Sequence, residues 1–124
     1  MTAIELARRF FGAIEAGDTA TVADCYADDA VIWHNTDRAE QGKADNLAVL
    51  HGFIGRTTAR SYGNARLLAT EEGFVQQHVL ECTRVDGRRL ELPACVICTV
   101  AGGKIVRLDE YFDEAPLKGW FDLG

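Results

Sequence analysis

The sequence predicts an α+β domain in which three N-terminal helices pack in a strongly curved antiparallel or mixed sheet, forming a cone with an internal pocket. In the first third of the chain, apolar residues recur at helical spacing. From about residue 57 onward, long segments rich in β-forming residues alternate with tight turns. Helices followed by an antiparallel meander are typical of the α+β class. The length of 124 residues suits one domain, residues 1–124.

The first predicted helix begins after Thr2 and ends at Gly17. Its expected buried face consists of Ile4, Ala7, Phe10, Phe11 and Ile14. Thr2 with Glu5 three residues later matches a capping box, in which each residue satisfies a main-chain N–H of the other. Gly17 suits the left-handed residue that follows many helices.

Two more helices precede the predicted sheet. Asp18 would cap a short helix over residues 18–27, and Asp28 and Asp29 would terminate it rather than bind a metal. A short apolar strand over residues 30–35 follows, and residues 43–55 form the third helix. The expected buried sides are Val22, Cys25 and Tyr26 in the second helix and Ala44, Leu47, Leu50 and Ile54 in the third.

Four long strands are predicted over residues 59–72, 73–85, 88–100 and 104–113. Asp86-Gly87 reads as a two-residue hairpin turn, which would pair Glu81 with Leu92. One sheet face then carries Gln77, Val79, Glu81 and Thr83 with Leu90, Leu92, Ala94 and Val96. The other face carries Phe74, Gln76, His78, Leu80 and Cys82 with Glu91, Pro93, Cys95 and Ile97. A one-residue bulge would invert this assignment.

Because both faces of this hairpin carry apolar residues, we expect helices on one face and a second copy of the chain on the other. The predicted homodimer interface is the outer sheet face with Cys95 and Ile97, together with Phe74 and Leu80. Cys95 and Cys98 form a CxxC spacing, but residues three apart on a strand point to opposite faces. We therefore interpret the four cysteines as structural and reduced.

Composition and charge exclude several classes of protein. The net charge of −6 argues against a nucleic-acid-binding face. No apolar run approaches the ~18–20 residues of a membrane-spanning helix, and the N-terminus lacks the pattern of a signal peptide. We therefore expect a cytoplasmic protein that binds neither nucleic acid nor membrane. No metal-ligand cluster, GxGxxG, Walker loop or GxSxG occurs, so no metal or cofactor is expected.

Four segments of the chain carry a resemblance to a known family: Phe10–Asp18, Tyr26–Asn35, the Gly42-Lys43 pair and Gly102–Asp113. With the order of elements, they resemble the nuclear transport factor 2-like superfamily over the whole chain. The group that fits best is the SnoaL-like one, with its limonene-epoxide-hydrolase-like and ketosteroid-isomerase-like relatives. The resemblance implies the cone fold, whereas this fold hosts many activities.

The steroid isomerases of this superfamily use an Asp on the first strand, which corresponds to His34 here. Their two oxyanion-hole donors correspond to Phe10 and to an apolar residue near Val96. Neither residue can donate a hydrogen bond. The resemblance therefore does not imply steroid-isomerase chemistry of that kind.

The epoxide hydrolases use an Asp–Arg–Asp relay with a Tyr and an Asn that hold the attacking water. The resemblance places the last-strand Asp at Glu110 and the second Asp at Glu81. The Arg falls on Val79, and the Tyr and Asn fall on Ile32 and His34. Two carboxylates are thus retained, whereas the Arg and the Tyr are replaced.

Glu110 is the foremost candidate for a catalytic residue. Alternation along the last strand puts it on one side with Val106, Leu108 and Phe112. A carboxylate in an apolar set is unusual and suits a general base or acid. The alternative is a solvated Glu at the sheet edge that pairs with an Arg.

His34 and Glu81 would complete an acid/base group. His34 could shuttle protons or position water, or it could be a core residue satisfied by a backbone carbonyl. Glu81 could be the second titrating carboxylate, or it could be a solvated residue at an open rim of the sheet. Trp33 and Asn35 would face away from His34 unless the strand twists, whereas His51 and His78 are expected at the surface or at an interface.

The function that these observations indicate is a cofactor-independent acid/base enzyme, a hydrolase, isomerase or cyclase, acting on a small hydrophobic organic molecule. The alternative is a non-catalytic ligand-binding or dimerisation module of the same fold. The predicted catalytic residues are Glu110, His34 and Glu81. The predicted substrate-binding residues are Phe10, Ile14, Ile32, Trp33, Gln77, Val79, Leu92, Ala94, Val96 and Phe112.

Overall fold

The computed structural model describes residues 1–122 and has the predicted α+β class, with three helices and six strands in one mixed sheet. The helices are α1 (Ala3–Ala16), α2 (Thr19–Cys25) and α3 (Lys43–Gly55). The strands are β1 (Tyr26–His34), β2 (Glu40–Gly42), β3 (Thr57–Ala69), β4 (Gly73–Arg84), β5 (Arg89–Ala101) and β6 (Lys104–Phe112). A 3₁₀ turn, Ala115–Leu117, follows β6.

The capping signals of α1 are confirmed. The Thr2 hydroxyl accepts a hydrogen bond from the Glu5 N–H at 3.1 Å, and the Glu5 carboxylate accepts one from the Thr2 N–H at 3.1 Å. Gly17 has a φ of +73°, which costs a glycine little. The helix therefore starts and ends where its sequence predicts.

The predicted end of the second helix is wrong. Helix α2 stops at Cys25, because Tyr26 is extended and pairs with Ile105 of β6. Asp28 and Asp29 consequently lie exposed in β1 and terminate no helix. The Asp18 cap is confirmed, since its carboxylate accepts from the Thr21 N–H at 3.1 Å.

The sheet has the strand order β2-β1-β6-β5-β4-β3. Strands β1 and β6 are parallel, and every other neighbouring pair is antiparallel. The helices pack on one face of this open sheet, where the main core lies. That core includes Leu6, Phe10, Phe11, Val22, Cys25, Ile32, Phe74, Val96 and Ile105.

The predicted register of the β4–β5 hairpin is wrong by one residue. The loop has three residues, Val85 to Gly87, because Arg84 N–H donates to the Arg88 carbonyl and Gly87 takes a φ of +94°. Glu81 therefore pairs with Glu91, and His78 pairs with Ala94. This shift inverts the predicted face of β4, so that Phe74, Gln76, His78, Leu80 and Cys82 point inward.

Two consequences follow for the outer face. Phe74 and Leu80 are buried in the interior and cannot belong to an outer interface, which corrects that part of the prediction. Cys95 is half-buried, whereas Cys98 is buried on the inner face, so the two cysteines lie on opposite faces as expected. A bulge at Val106 brings both Ile105 and Leu108 into the core, although strict alternation places them on opposite sides.

The described helices include none with the length and apolar character needed to cross a membrane. Within residues 1–122, no three His, Cys, Asp or Glu side chains come together as a metal site.

Candidate functional site

A cavity of about 760 Å³ lies between the inner face of the sheet and helices α1 and α3. Its wall is mostly apolar, with a few polar groups, the composition typical of sites for small organic molecules. Eight predicted site residues border it: Phe10, Ile14, Ile32, His34, Leu92, Val96, Glu110 and Phe112.

Glu110 and His34 meet in this wall. They occupy paired positions on the parallel strands β6 and β1, and His34 Nε2 lies 3.1 Å from Glu110 Oε1. The two side chains are only 21% and 22% exposed. The hydrogen bond to Glu110 raises the pKa of His34, and burial only partly opposes this effect.

Asn35 keeps these two strands in register. Its side-chain amide donates to the Phe112 carbonyl at 3.1 Å, and its amide oxygen accepts from the Phe112 N–H at 3.0 Å. Asn35 thereby continues the ladder between β1 and β6 just beyond His34. Its role is to hold His34 beside Glu110 rather than to contact a ligand.

His78 was not predicted as a site residue, and the corrected register of the hairpin turns it inward. His78 is 4% exposed and borders the cavity, with its ring packed against Tyr62 at 4.5 Å. The Gln76 amide donates to His78 Nδ1 at 3.0 Å, and an amide NH₂ can only donate. The ring therefore carries its proton on Nε2.

His78 is a neutral donor without a partner. Burial lowers the pKa of His78, so the ring carries no charge near neutral pH. Its Nε2 is buried and has no hydrogen-bond partner among residues 1–122. The sequence pattern that could have identified His78 is its alternation with the apolar residues Phe74 and Leu80. The predicted two-residue turn placed all three residues on the wrong face of the sheet.

A second polar group borders the cavity near α3. The Tyr26 hydroxyl donates to Asn46 Oδ1 at 2.9 Å, and the Asn46 amide donates to Gln41 Oε1 at 3.3 Å. Burial raises the pKa of Tyr26, so its hydroxyl stays protonated. None of these three residues was predicted as part of the site: Gln41 and Tyr26 lie in β2 and at the beginning of β1, which were not recognised as parts of the sheet, and the contact of Asn46 with β1 has no local signal.

Five predicted site residues do not border the cavity. Gln77, Val79 and Glu81 lie on the outer face of β4, as a direct result of the hairpin register. Trp33 also faces outward, where its ring packs against Tyr111 at 5.3 Å. Ala94 is paired with both Phe112 and His78 in the sheet, but it is not part of the cavity wall.

Comparisons with known proteins agree with this architecture. The chain is 28% identical over 115 residues to the uncharacterized protein Rv0034 of Mycobacterium tuberculosis, covering 88% of this chain and 87% of that protein. A proposed polyketide cyclase of Pseudomonas putida has a TM-score of 0.79 at 21% identity, covering 98% and 97% of the two chains. An epoxide hydrolase of Mycobacterium tuberculosis that resembles limonene epoxide hydrolase has a TM-score of 0.77 at 22% identity, covering 94% and 87%.

These solved structures share the fold with this chain, and their identities are too low to carry a reaction. The model of the SnoaL-like domain matches residues 7–108. This match spans most of the chain, and the chain therefore belongs to the SnoaL-like family within the nuclear transport factor 2-like superfamily.

Proposed function

We propose that the protein is an acid/base enzyme that needs no cofactor and acts on a small hydrophobic organic molecule, by hydrolysis, isomerisation or cyclisation. The observation that carries the proposal is the contact between Glu110 and His34 in the wall of a largely apolar cavity. A carboxylate at such a place can take a proton from a bound substrate or from a water molecule. His34 donates from Nε2 to Glu110 Oε1 and thus positions the base.

His78 supplies the complementary group in this proposal. Strand β5 separates β4 from β6, and His78 lies two residues further along than the position in register with Glu110, so the two backbones lie roughly 12 Å apart. A substrate between them can present a proton to Glu110 and an oxygen towards His78. Because His78 Nε2 is buried in the structure, its N–H reaches this oxygen only after the ring turns, and it then stabilises the negative charge that develops there.

Glu110→Gln tests the catalytic proposal, with Glu81→Gln as the matched control on the outer face. The rates would be measured by product analysis on a terpene epoxide, a β,γ-unsaturated ketone and an aromatic polyketide ester. A positioned general base contributes about 10²–10⁴-fold, so we expect Glu110→Gln to lose at least 10²-fold and Glu81→Gln to keep its rate. Near-normal turnover by Glu110→Gln would refute the assignment.

The competing function is that of a non-catalytic ligand-binding or dimerisation module. It is favoured by the apolar residues Phe10 and Val96, which stand where the isomerases carry hydrogen-bond donors. A thermal-shift screen with terpenoid, steroid and aromatic polyketide ligands distinguishes the two functions, because a ligand that binds the folded state raises its stability. Binding of a ligand without turnover of any related compound would favour the module.

We also propose that the protein forms a homodimer through the outer sheet face. Ile97 and Tyr111 are 40% and 48% exposed there, beside the half-buried Trp33. An apolar patch of this kind favours contact with a second copy. Sedimentation velocity at micromolar concentration should give a dimer, and Ile97→Asp should give a monomer. A monomeric wild-type protein would contradict the proposal.

The proposed setting is the cytoplasm. Cys25, Cys82, Cys95 and Cys98 are free thiols, which persist in a reducing compartment.

A further inference from the structure

The segment after β6, Asp113–Asp122, forms one wall of the cavity, and we call it the C-terminal strap. Five of its residues border the cavity: Glu114, Ala115, Leu117, Lys118 and Phe121. Its only regular structure is a three-residue 3₁₀ turn. The strap therefore encloses a ligand without belonging to the sheet.

The mouth of the cavity lies between the strap and α3. Among the large apolar residues of the wall, Val49 of α3 and Phe121 of the strap are 55% and 52% exposed. The side chain of Asn46 is the single buried one in α3, so this helix is packed lightly on that side. The exposed part of the wall is apolar at Val49 and Phe121, and it is charged at Asp37, Glu114 and Lys118.

The strap is held by its main chain to the tip of the β4–β5 hairpin. Arg84 is buried, and its guanidinium donates to the carbonyls of Gly119, Trp120 and Asp122 at 3.0, 2.9 and 3.2 Å. The carboxylate of Asp86 accepts two hydrogen bonds from the same guanidinium, at 2.8 and 2.6 Å. Such charge-assisted contacts are stronger than neutral hydrogen bonds.

A buried aromatic ring completes the attachment. Trp120 is fully buried between the guanidinium groups of Arg84 and Arg88, which lie 5.6 and 5.7 Å from its ring. Arg88 also donates to the Lys118 carbonyl at 2.8 Å. Between this anchor and the end of β6, every residue of the strap is exposed or half-buried.

We propose that the C-terminal strap is the gate of the cavity and determines which ligands enter. Phe121 and Val49 limit the width of the entrance, and the Arg84–Asp86 clamp with Trp120 controls how often the strap opens. The strap has two fixed ends and a lightly packed middle, so loosening the clamp frees the middle without breaking a strand. This inference concerns access to the cavity and does not depend on the chemistry of Glu110.

The test measures how fast an uncharged apolar probe, N-phenyl-1-naphthylamine, enters and leaves the full-length protein by stopped-flow fluorescence. Arg84→Met removes the clamp at similar side-chain volume, and the exposed Arg89→Met is its matched control. Arg84→Met removes three charge-assisted hydrogen bonds to the strap, and the loss of even one corresponds to about a tenfold change or more. We therefore expect Arg84→Met to raise both rate constants about tenfold with little change in affinity, and Arg89→Met to leave them unchanged.

Phe121→Ala keeps the clamp and trims the rim, so it tests the proposal even where Arg84→Met fails to fold. It should raise the entry rate of pyrene, which is wider and more rigid, more than that of N-phenyl-1-naphthylamine. Unchanged rates in Phe121→Ala would overturn the inference. Unchanged rates in Arg84→Met would also overturn it if faster hydrogen exchange of the strap amides shows that the clamp has been loosened. Failure of the catalytic proposal is separate, because the probe is not a substrate and its entry and exit rates report access to the cavity alone.

Discussion

The His34–Glu110 pair should make the stability of the protein depend on pH, and Glu110→Gln isolates this dependence. Glu110 raises the pKa of His34 above the ordinary 6.5. A group whose pKa rises on folding contributes its full stabilisation below the unfolded pKa. That contribution is lost as the pH rises through the folded pKa. The pair should thus stabilise the wild-type protein more at pH 6 than at pH 9.

The expected magnitude follows from the burial of the pair. The two side chains are 22% and 21% exposed, so solvent screens their interaction only in part. The two pH values differ in the charge of the imidazole, and a rise of one unit in its pKa corresponds to about 1.4 kcal/mol. We therefore expect Glu110→Gln to destabilise the protein by about 1 kcal/mol more at pH 6 than at pH 9.

The assay is urea denaturation of the wild type and Glu110→Gln at both pH values, with an NMR titration of the His34 ring. Glu81→Gln is the matched control, since an exposed carboxyl on the outer face should change the free energy of unfolding by less than about 0.5 kcal/mol. In Glu110→Gln the pKa of His34 should fall. An equal destabilisation at both pH values, with an unchanged His34 titration, would refute the reasoning.

Three further substitutions test the packing around the site. Trp120→Ala empties a fully buried position and should lower the free energy of unfolding by roughly 3–5 kcal/mol, measured by urea denaturation; a loss below about 1 kcal/mol would contradict the anchoring of the strap. Asn35→Ala removes both bonds to Phe112 and should cost about 1–3 kcal/mol and loosen His34 in NMR line shapes. Gly87→Ala strains a residue with a φ of +94° and should cost about 1 kcal/mol by thermal denaturation, whereas an unchanged melting temperature would argue against the left-handed conformation of Gly87.

The elements were predictable because their signals are local. The capping box of Thr2 and Glu5, the Gly17 end and the alternation in the long strands depend on residues within a few positions of one another. The register of the hairpin also depends on local residues, namely on whether the loop has two or three of them. Asp86-Gly87 suits both a two-residue turn and the three-residue loop that the chain adopts. Sequence alone does not distinguish the two.

That single ambiguity explains most of the errors in the site. Glu110 and His34 could be predicted from the alternation of their strands and from the family resemblance. The bulge at Val106 lies before Glu110 and therefore does not change the face on which Glu110 lies. Glu81 was wrongly predicted to face the cavity, and His78 was wrongly predicted to face outward. A one-residue change of register moves every side chain of β4 to the other face. The Tyr26–Asn46 contact joins β1 to α3, and no local pattern encodes it.

The corrected register also explains how one fold can serve different reactions. His34, Glu110, Val96 and Gln76 form one row across β1, β6, β5 and β4, each directly paired with the next. The ladder fixes the backbone of this row whatever side chains it carries, so a substitution there changes the chemistry of the wall and leaves the fold intact. The similarity to solved structures therefore shows the fold, and the reaction depends on the side chains in the wall. For this chain, a carboxylate positioned by His34 shares its row with Gln76, and the neutral His78 lies one inward position further along β4, so the test of function is whether Glu110 moves a proton.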